Sequence, residues 1–316
     1  MERDCSRPAL CQTAATQFNL RCSCRLSLPQ LAGCLRFDID SGLSSVKLRD
    51  RFMVTSKVNK DHARMFQIFP RPWCSILLMA WLASVSTFVH ASDSRALAAL
   101  LDGVLAAHVD KGYIDYPKIS RNVRFHKYIE ALADLDVESL GSDEEQIAFW
   151  LNVYNALAIK NVIDGITPLT RIGRLKFFRT TEHPVGGRDV DLNSIDDILM
   201  KFGDPRIRLA MVHAAYTGPD LPAGAYRADQ IDQQLTDAAR RFVNDNRKNR
   251  YSQALFRTRI SQLFERHSDE FGENDAEVLA YISQYVDDEE IATGLREGRY
   301  ELKYLDYEWG INGSPM

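Results

Sequence analysis

One segment of the chain, residues 147–162, is apolar on every side of the helix that its pattern predicts. Placed at 100° per residue, its large side chains leave no wide polar face, so we expect this helix to be buried all round. Asn152 and Asn155 interrupt the apolar surface one turn apart. A buried amide is costly unless its donors and acceptors find partners. The sequence therefore predicts a core helix whose two asparagines bond either to the backbone of surrounding loops or to a ligand.

The chain from residue 92 onward mixes helical and extended patterns, with no linker composition and no internal repeat. Its 225 residues are enough for one sizeable core. We predict an α+β fold, a helix-rich single domain with a small, mainly antiparallel sheet around the buried central helix. The expected elements are helices over 93–109, 123–135, 193–202 with Asn193 as cap, 229–243, 262–271 and 275–286, a Gly-Gly hairpin over 183–192, an extended piece over 113–116, and strands over 207–212, 255–260 and 300–307.

The amino-terminal part divides into two pieces. Residues 65–91 have a short basic start, an uncharged apolar run over Trp73 to Val89 and a small-residue ending, which is the layout of a cleaved secretory signal peptide. The alternative is an uncleaved anchor in the inner membrane, because that run approaches the length of a bilayer-spanning helix. Residues 1–64 do not fit in front of a signal peptide, and we interpret them as a mis-annotated or disordered extension. A periplasmic or secreted domain is expected.

The charge balance argues against nucleic acid as a partner. Of 39 basic and 43 acidic residues, 12 and 6 precede residue 92, which leaves 27 and 37 and a net charge of −10 in the domain. Binding of nucleic acid would need a basic stripe, and the sequence has none.

All six cysteines lie before residue 75, and no histidine pair has the spacing of a helical zinc site. We therefore expect no metal, no cofactor and no thiol nucleophile.

Several motifs resemble one known family. Residues 145–157, which read EQIAFWLNVYNAL, are similar to the signature E-Q-x-A-F-W-I-N-x-Y-N-A-L of the domain-of-unknown-function 547 family, found in bacteria and plants. Residues 191–197 resemble the family's S-L-x-x-I-E-H, residues 204–207 its D-P-R-I before a strand, and residues 304–309 its closing strand. Pro219, Leu221 and Tyr226 fit the segment between them. The resemblance runs from about Leu97 to Asn312.

The resemblance implies a thiol-imidazole pair, which this chain lacks. The family pattern has cysteines in N-C-A-S-x-S-C-P and a histidine in I-E-H, and such a pair would make a reactive thiolate. Here His213 stands at the first cysteine, Gly218 at the second and Asp197 at the histidine. The chain is thus identified as a divergent member of the family without the family's cysteines and histidine.

Two functions follow for this altered site. The first is a degenerate or non-catalytic member that binds a peptide, glycan or protein partner in the cell envelope. The alternative is an envelope hydrolase or transferase in which His213, with Asp197 or Glu145, does acid-base work through water. Binding residues are expected at Asn152, Asn155, Arg206 and Tyr216, although Arg206 also fits an ion pair at a turn, Glu145 a favourable charge at a helix start, and Tyr216 an aromatic packed on the surface.

Overall fold

The structure is a computed structural model, and it describes residues 94–316. The expected extension over 1–64 and the expected signal peptide or anchor over 65–91 lie outside the described residues. Helix α1 spans residues 94–108. After it come β1 (Val109–Asp110), β2 (Tyr113–Ile114), α2 (Tyr116–Ile119), α3 (Val123–Ala131), α4 (Asp143–Ile163), α5 (Arg171–Leu175), β3 (His183–Val185), β4 (Arg188–Val190), α6 (Leu192–Leu199), α7 (Ile231–Val243), β5 (Arg250–Ser252), β6 (Arg257–Ser261), α8 (Gln262–Arg266), α9 (Ser268–Phe271), α10 (Asp275–Ser283), α11 (Glu289–Arg296) and β7 (Glu301–Leu305).

Helix α4 is the core helix that the sequence predicts. It begins after Ser142, whose hydroxyl accepts a hydrogen bond from the backbone N–H of Glu145, and three acidic residues in its first turn favour the helix dipole. From Ile147 to Ile159 every side chain is buried. The helix packs against α2, α6 and α7. The prediction of an α+β fold around a buried central helix is confirmed.

The apolar side chains form two clusters. The larger one surrounds α4 and draws on α1, α3, α6 and the start of α7. The smaller one lies among the end of α7, β6, the helices from α8 to α11, and β7. The cavity described below lies where residues of both clusters meet. Within residues 94–316, no helix is both long and apolar enough to cross a bilayer.

The strands form three small sheets instead of one. The hairpins β1–β2 and β3–β4 are antiparallel, and in the third sheet β5 pairs antiparallel with β6 while β7 lies parallel to β6. In the β3–β4 hairpin Gly186 and Gly187 both adopt positive φ, at 59° and 73°, as a two-residue turn between twisted strands requires. The Gly-Gly hairpin that the sequence predicts is therefore present.

Several predicted elements differ from the structure. The strand over 207–212 is wrong, since Pro205–Leu209 is a 3₁₀-helix. The side chain of Asp204 caps it by accepting from the backbone N–H of Arg206. The cap of α6 is Asp191 and not Asn193, because the Asp191 carboxylate accepts from Ser194 N at 2.7 Å. The helix over 262–271 is broken at His267, which separates α8 from α9.

Candidate functional site

A polar cavity of about 310 Å³ lies beside His213. Helix α4 contributes Tyr154, α6 and its start contribute Leu192, Asn193 and Asp196, and the segment after β7 contributes Tyr307 and Trp309. Its volume is at the lower end of the range of ligand pockets. The remaining lining residues are Phe178, Arg179, Arg208, Leu263, Arg266 and His267.

The position of His213 is set from the core. Asn155 of α4 donates to Ala210 O at 3.1 Å and accepts from Val212 N at 2.8 Å, so its amide holds the backbone that leads into His213. Phe178 meets the imidazole edge to face, with 5.6 Å between ring centroids. A buried amide thus fixes the backbone before His213, and an aromatic ring packs against the imidazole itself.

One hydrogen bond supports an assignment of the proton on the His213 ring. Nδ1 lies 2.8 Å from the hydroxyl of Tyr307. Burial raises the pKa of Tyr307 above its usual value, so the phenol keeps its proton. We assign the phenol as the donor to Nδ1, because it has no other acceptor among the described residues. Burial, with Arg208, His267 and Arg266 nearby, lowers the pKa of His213. A neutral ring that accepts at Nδ1 carries its proton on Nε2, the nitrogen without a partner among residues 94–316.

Arg208 forms the charged floor of the cavity. This arginine is 3% exposed, and it donates to Asp196 at 2.7 Å and to Glu270 at 2.5 Å. His267 Nδ1 lies 3.3 Å from the same Glu270. Burial raises the pKa of Glu270, but the bonds from His267 and Arg208 outweigh it and lower the pKa to about 2. A buried charge needs such partners, so Arg208 is committed to structure.

Three other polar side chains at the cavity are not committed. Tyr154 is 2% exposed, yet its hydroxyl has no hydrogen-bond partner among residues 94–316, and burial together with Asp196 raises its pKa. The exposed Arg179 has no acidic partner in the same part of the chain. Arg266 lies over the Tyr307 and Trp309 rings and donates only to the neutral amide of Gln262. Among residues 94–316, Tyr154 and Arg179 thus have no hydrogen-bond acceptor, and Arg266 has no acidic one.

The three expected catalytic residues do not come together. Asp197 is exposed, accepts from Asn193 Nδ2 at 3.3 Å and does not line the His213 cavity. Its neighbour Asp196 does, because successive residues of a helix point about 100° apart. Glu145 accepts from Gly141 N at 3.0 Å and lines a different cavity, of about 470 Å³. The expected contact between His213 and Asp197 is therefore corrected to an arrangement in which Asp196 lies at the cavity, bonded to Arg208.

The expected binding residues have structural partners. Asn152 donates to Tyr226 O and accepts from Tyr226 N, both at 2.8 Å, and Asn155 holds the loop before His213 as described. Arg206 pairs with Asp204 and Asp232. These contacts agree with the prediction that the amides tie loop backbone to the core and that Arg206 makes ion pairs at a turn.

Tyr216 lies on the surface, where Arg247 stacks over its ring at 5.4 Å. It does not line the His213 cavity. Its backbone N–H donates to Gly310 O, which holds the loop after His213 against the end of the chain. Tyr216 thus packs as a surface aromatic, the second of the two interpretations that the sequence allowed.

Sequence reasoning missed several residues that build the cavity. Arg208 had a signal, since it is a lone charge within the apolar run Ile207 to Val212, and a charge in such a run is expected to be buried and paired. Tyr154 had none, because it fits the apolar surface of α4 like its neighbours. Tyr307 and Arg266 meet His213 only through contacts between residues distant in the chain. Within residues 94–316, no group of three or more His, Cys, Asp or Glu side chains is arranged to hold a metal ion.

The comparisons with known proteins give one match. Residues 137–243 match the model of the family described as protein of unknown function, DUF547, so the resemblance to this family is confirmed over that span. No curated protein and no solved structure matches the chain. The matched span includes α4, α6, His213 and α7, whereas Arg266, Tyr307 and Trp309 lie beyond it.

Proposed function

We propose that this chain is an exported, non-catalytic domain that binds a peptide, glycan or protein partner of the cell envelope in the His213 cavity. The hydrogen bond between Tyr307 and His213 carries the proposal. With the phenol assigned as the donor in this bond, the ring proton lies on Nε2, and the imidazole offers the cavity a donor. A general base must instead accept a proton from the reacting group. The ring is suited to holding a ligand.

The surroundings of His213 support the same conclusion. No cysteine follows Cys74 in the sequence, so the cavity has no thiol to activate. Neither Asp197 nor Glu145 lines it, although the alternative of an envelope hydrolase or transferase depends on one of them. That alternative needs a carboxylate bonded to the imidazole, and the bond found at Nδ1 comes from a phenol.

Binding and turnover can be separated in one experiment. The full chain is incubated with a panel of short peptides and oligosaccharides, bound species are detected by native mass spectrometry, and products by liquid chromatography. We expect ligand retained unchanged, and no product beyond that formed without protein. The His213→Gln variant should lose affinity, whereas His126→Gln, which alters a histidine bonded to Ser120 O outside the cavity, should not. A product that disappears in His213→Gln would establish the enzyme alternative.

Export has its own test. The pattern over 65–91 supports cleavage after Ala91, so expression from Met65 in a bacterial host should give a periplasmic protein that begins at Ser92. Amino-terminal sequencing of the periplasmic fraction checks this. Recovery of the uncleaved chain in the membrane fraction would support the anchor instead.

A further inference from the structure

The His213 cavity combines one buried donor without a partner with an excess of positive charge. Tyr154 is almost fully buried, and its hydroxyl finds no acceptor among residues 94–316. A buried polar group left unpaired costs free energy. The hydroxyl oxygen is not fully sealed from solvent, however. It therefore faces the cavity, where a ligand can reach it.

The charges around the cavity are unlike those of the rest of the domain. Residues 92–316 carry a net charge of −10, yet Arg179, Arg208 and Arg266 line the cavity against a single carboxylate, that of Asp196. Its Oδ2 is bonded to Arg208 and its Oδ1 is sealed from solvent. Glu270, behind Arg208, cancels one more charge. A net positive cavity remains within an acidic domain.

We infer that the cavity binds an oxyanion, the carboxylate or phosphate of a small acid or of a chain end. This inference rests on the proposed function and names the chemistry of its ligand. The oxyanion accepts from the Tyr154 hydroxyl and from Nε2–H of His213, and Arg266 and Arg179 at the rim supply the opposite charge. Hydrogen bonds to an ionised acceptor are about twice as strong as neutral ones, so this ligand uses the unpaired donors best.

Three probes test the inference and distinguish a carboxylate ligand from a phosphate ligand. The full chain is titrated with inorganic phosphate, with N-acetylalanine and with the neutral N-acetylalaninamide, while the imidazole signals of His213 are followed by NMR. Tighter binding of phosphate indicates a phosphate ligand, and tighter binding of N-acetylalanine indicates a carboxylate. Equal binding of acid and amide without tighter binding of phosphate, or binding of none of the three probes, would overturn the inference of an oxyanion ligand. The function proposed above survives that result if the panel still contains a ligand that His213→Gln loses.

Matched variants locate the binding site. Arg266→Gln and Arg179→Gln should each weaken binding of the better acid about tenfold, the loss of one charged hydrogen bond. Arg259→Gln removes an exposed arginine away from the cavity and should leave affinity unchanged. An equal loss in Arg266→Gln and Arg259→Gln would show a general charge effect and refute the assigned site.

Tyr154→Phe is the sharpest variant, because it removes only a hydroxyl that has no partner in the described part of the chain. We expect the midpoint of urea unfolding to stay the same or rise, while affinity for the acid falls several-fold. Unchanged affinity would remove Tyr154 from the site. A large loss of stability would mean that the hydroxyl has a structural partner, and the argument from an unpaired donor would fail.

Discussion

Helix α4 buries two kinds of polar side chain, and they lie next to each other in the sequence. Asn152, Asn155 and Asn161 are buried, and each uses both the oxygen and the nitrogen of its amide. Their partners are Tyr226, the backbone of residues 210 and 212, and Phe177 with His183, respectively. Tyr154 is equally buried, but its hydroxyl has no partner among the described residues. The amides hold neighbouring backbone and the His183 side chain against the core, whereas the phenol lies on the wall of a cavity.

The difference lies in whether the buried polar group has a partner within the protein. An amide whose oxygen and nitrogen are both bonded to protein groups holds those groups in place, whereas the Tyr154 hydroxyl has no such partner among residues 94–316. On the floor of the cavity lie the paired charges, Arg208 with Asp196 and Glu270, and the donors without an acidic partner lie around them. Polar side chains that hold the fold and polar side chains that line the cavity thus differ in whether they have hydrogen-bond partners, and not in how deeply they are buried. The following substitutions test this difference.

The largest effect is expected at the cavity floor. Arg208→Met leaves the carboxylates of Asp196 and Glu270 without their cation, and removing one partner of a buried ion pair costs about 3 to 5 kcal/mol. Arg206→Met, two residues away, removes a more exposed arginine and should cost only about 1 kcal/mol. Urea unfolding of both variants gives the comparison. If both variants lost the same free energy of unfolding, the burial of Arg208 would add nothing to the strength of its ion pairs.

The asparagines should show the next largest effect. Asn152→Leu strands both the N–H and the C=O of Tyr226, so we expect a loss of about 1 to 3 kcal/mol in the free energy of unfolding. Tyr154→Phe, two residues along the same helix, is the matched control and should lose almost nothing. The same urea experiment measures both. If Asn152→Leu were as stable as the parent, the amide would not be holding its loop.

The sequence predicted the core better than the cavity, and the reason is the range of the interactions. Periodicity reports which face of a helix is buried, so α4, α7 and the burial of Asn152 followed from it. The strand predicted over 207–212 is wrong because an apolar run fits a strand as well as a turn of helix, and only Pro205 and the Asp204 cap favour the 3₁₀-helix. The contact of His213 with Tyr307 joins residues 94 apart, and no local pattern encodes such a pairing.

The imidazole should make stability depend on pH. Burial lowers the pKa of His213 in the folded state, below the value of about 6.5 expected in the unfolded chain. The folded state thus favours the neutral ring. The contribution of His213 to the free energy of unfolding is therefore complete above about pH 6.5 and is lost as the pH falls below that value. The loss is up to about 1.4 kcal/mol per pH unit.

His213→Gln removes a titrating group and should flatten this dependence between about pH 6.5 and 5. Burial lowers the pKa of His183 as well, so that histidine keeps its own smaller contribution in the variant. Thermal unfolding at several pH values measures the slope. An identical slope in parent and variant would show that His213 is not buried as a neutral ring, and its role as a donor to the cavity would need revision.

The smallest effect is expected where the sequence placed a catalytic carboxylate. Asp197 is exposed and bonds only to Asn193 Nδ2 among the described residues, so Asp197→Asn should change stability by less than about 0.5 kcal/mol and leave the affinity of the cavity for its acid ligand unchanged. Asp196→Asn removes a charged partner of the buried Arg208 and should cost more, about 1 to 2 kcal/mol. It should also strengthen oxyanion binding, because it removes the only carboxylate that residues 94–316 place on the cavity lining. Urea unfolding and the NMR titration, applied to the pair, compare two adjacent residues of similar chemistry. If Asp197→Asn weakened ligand binding and Asp196→Asn did not change it, Asp197 and not Asp196 would line the cavity. The lining described above would then be wrong.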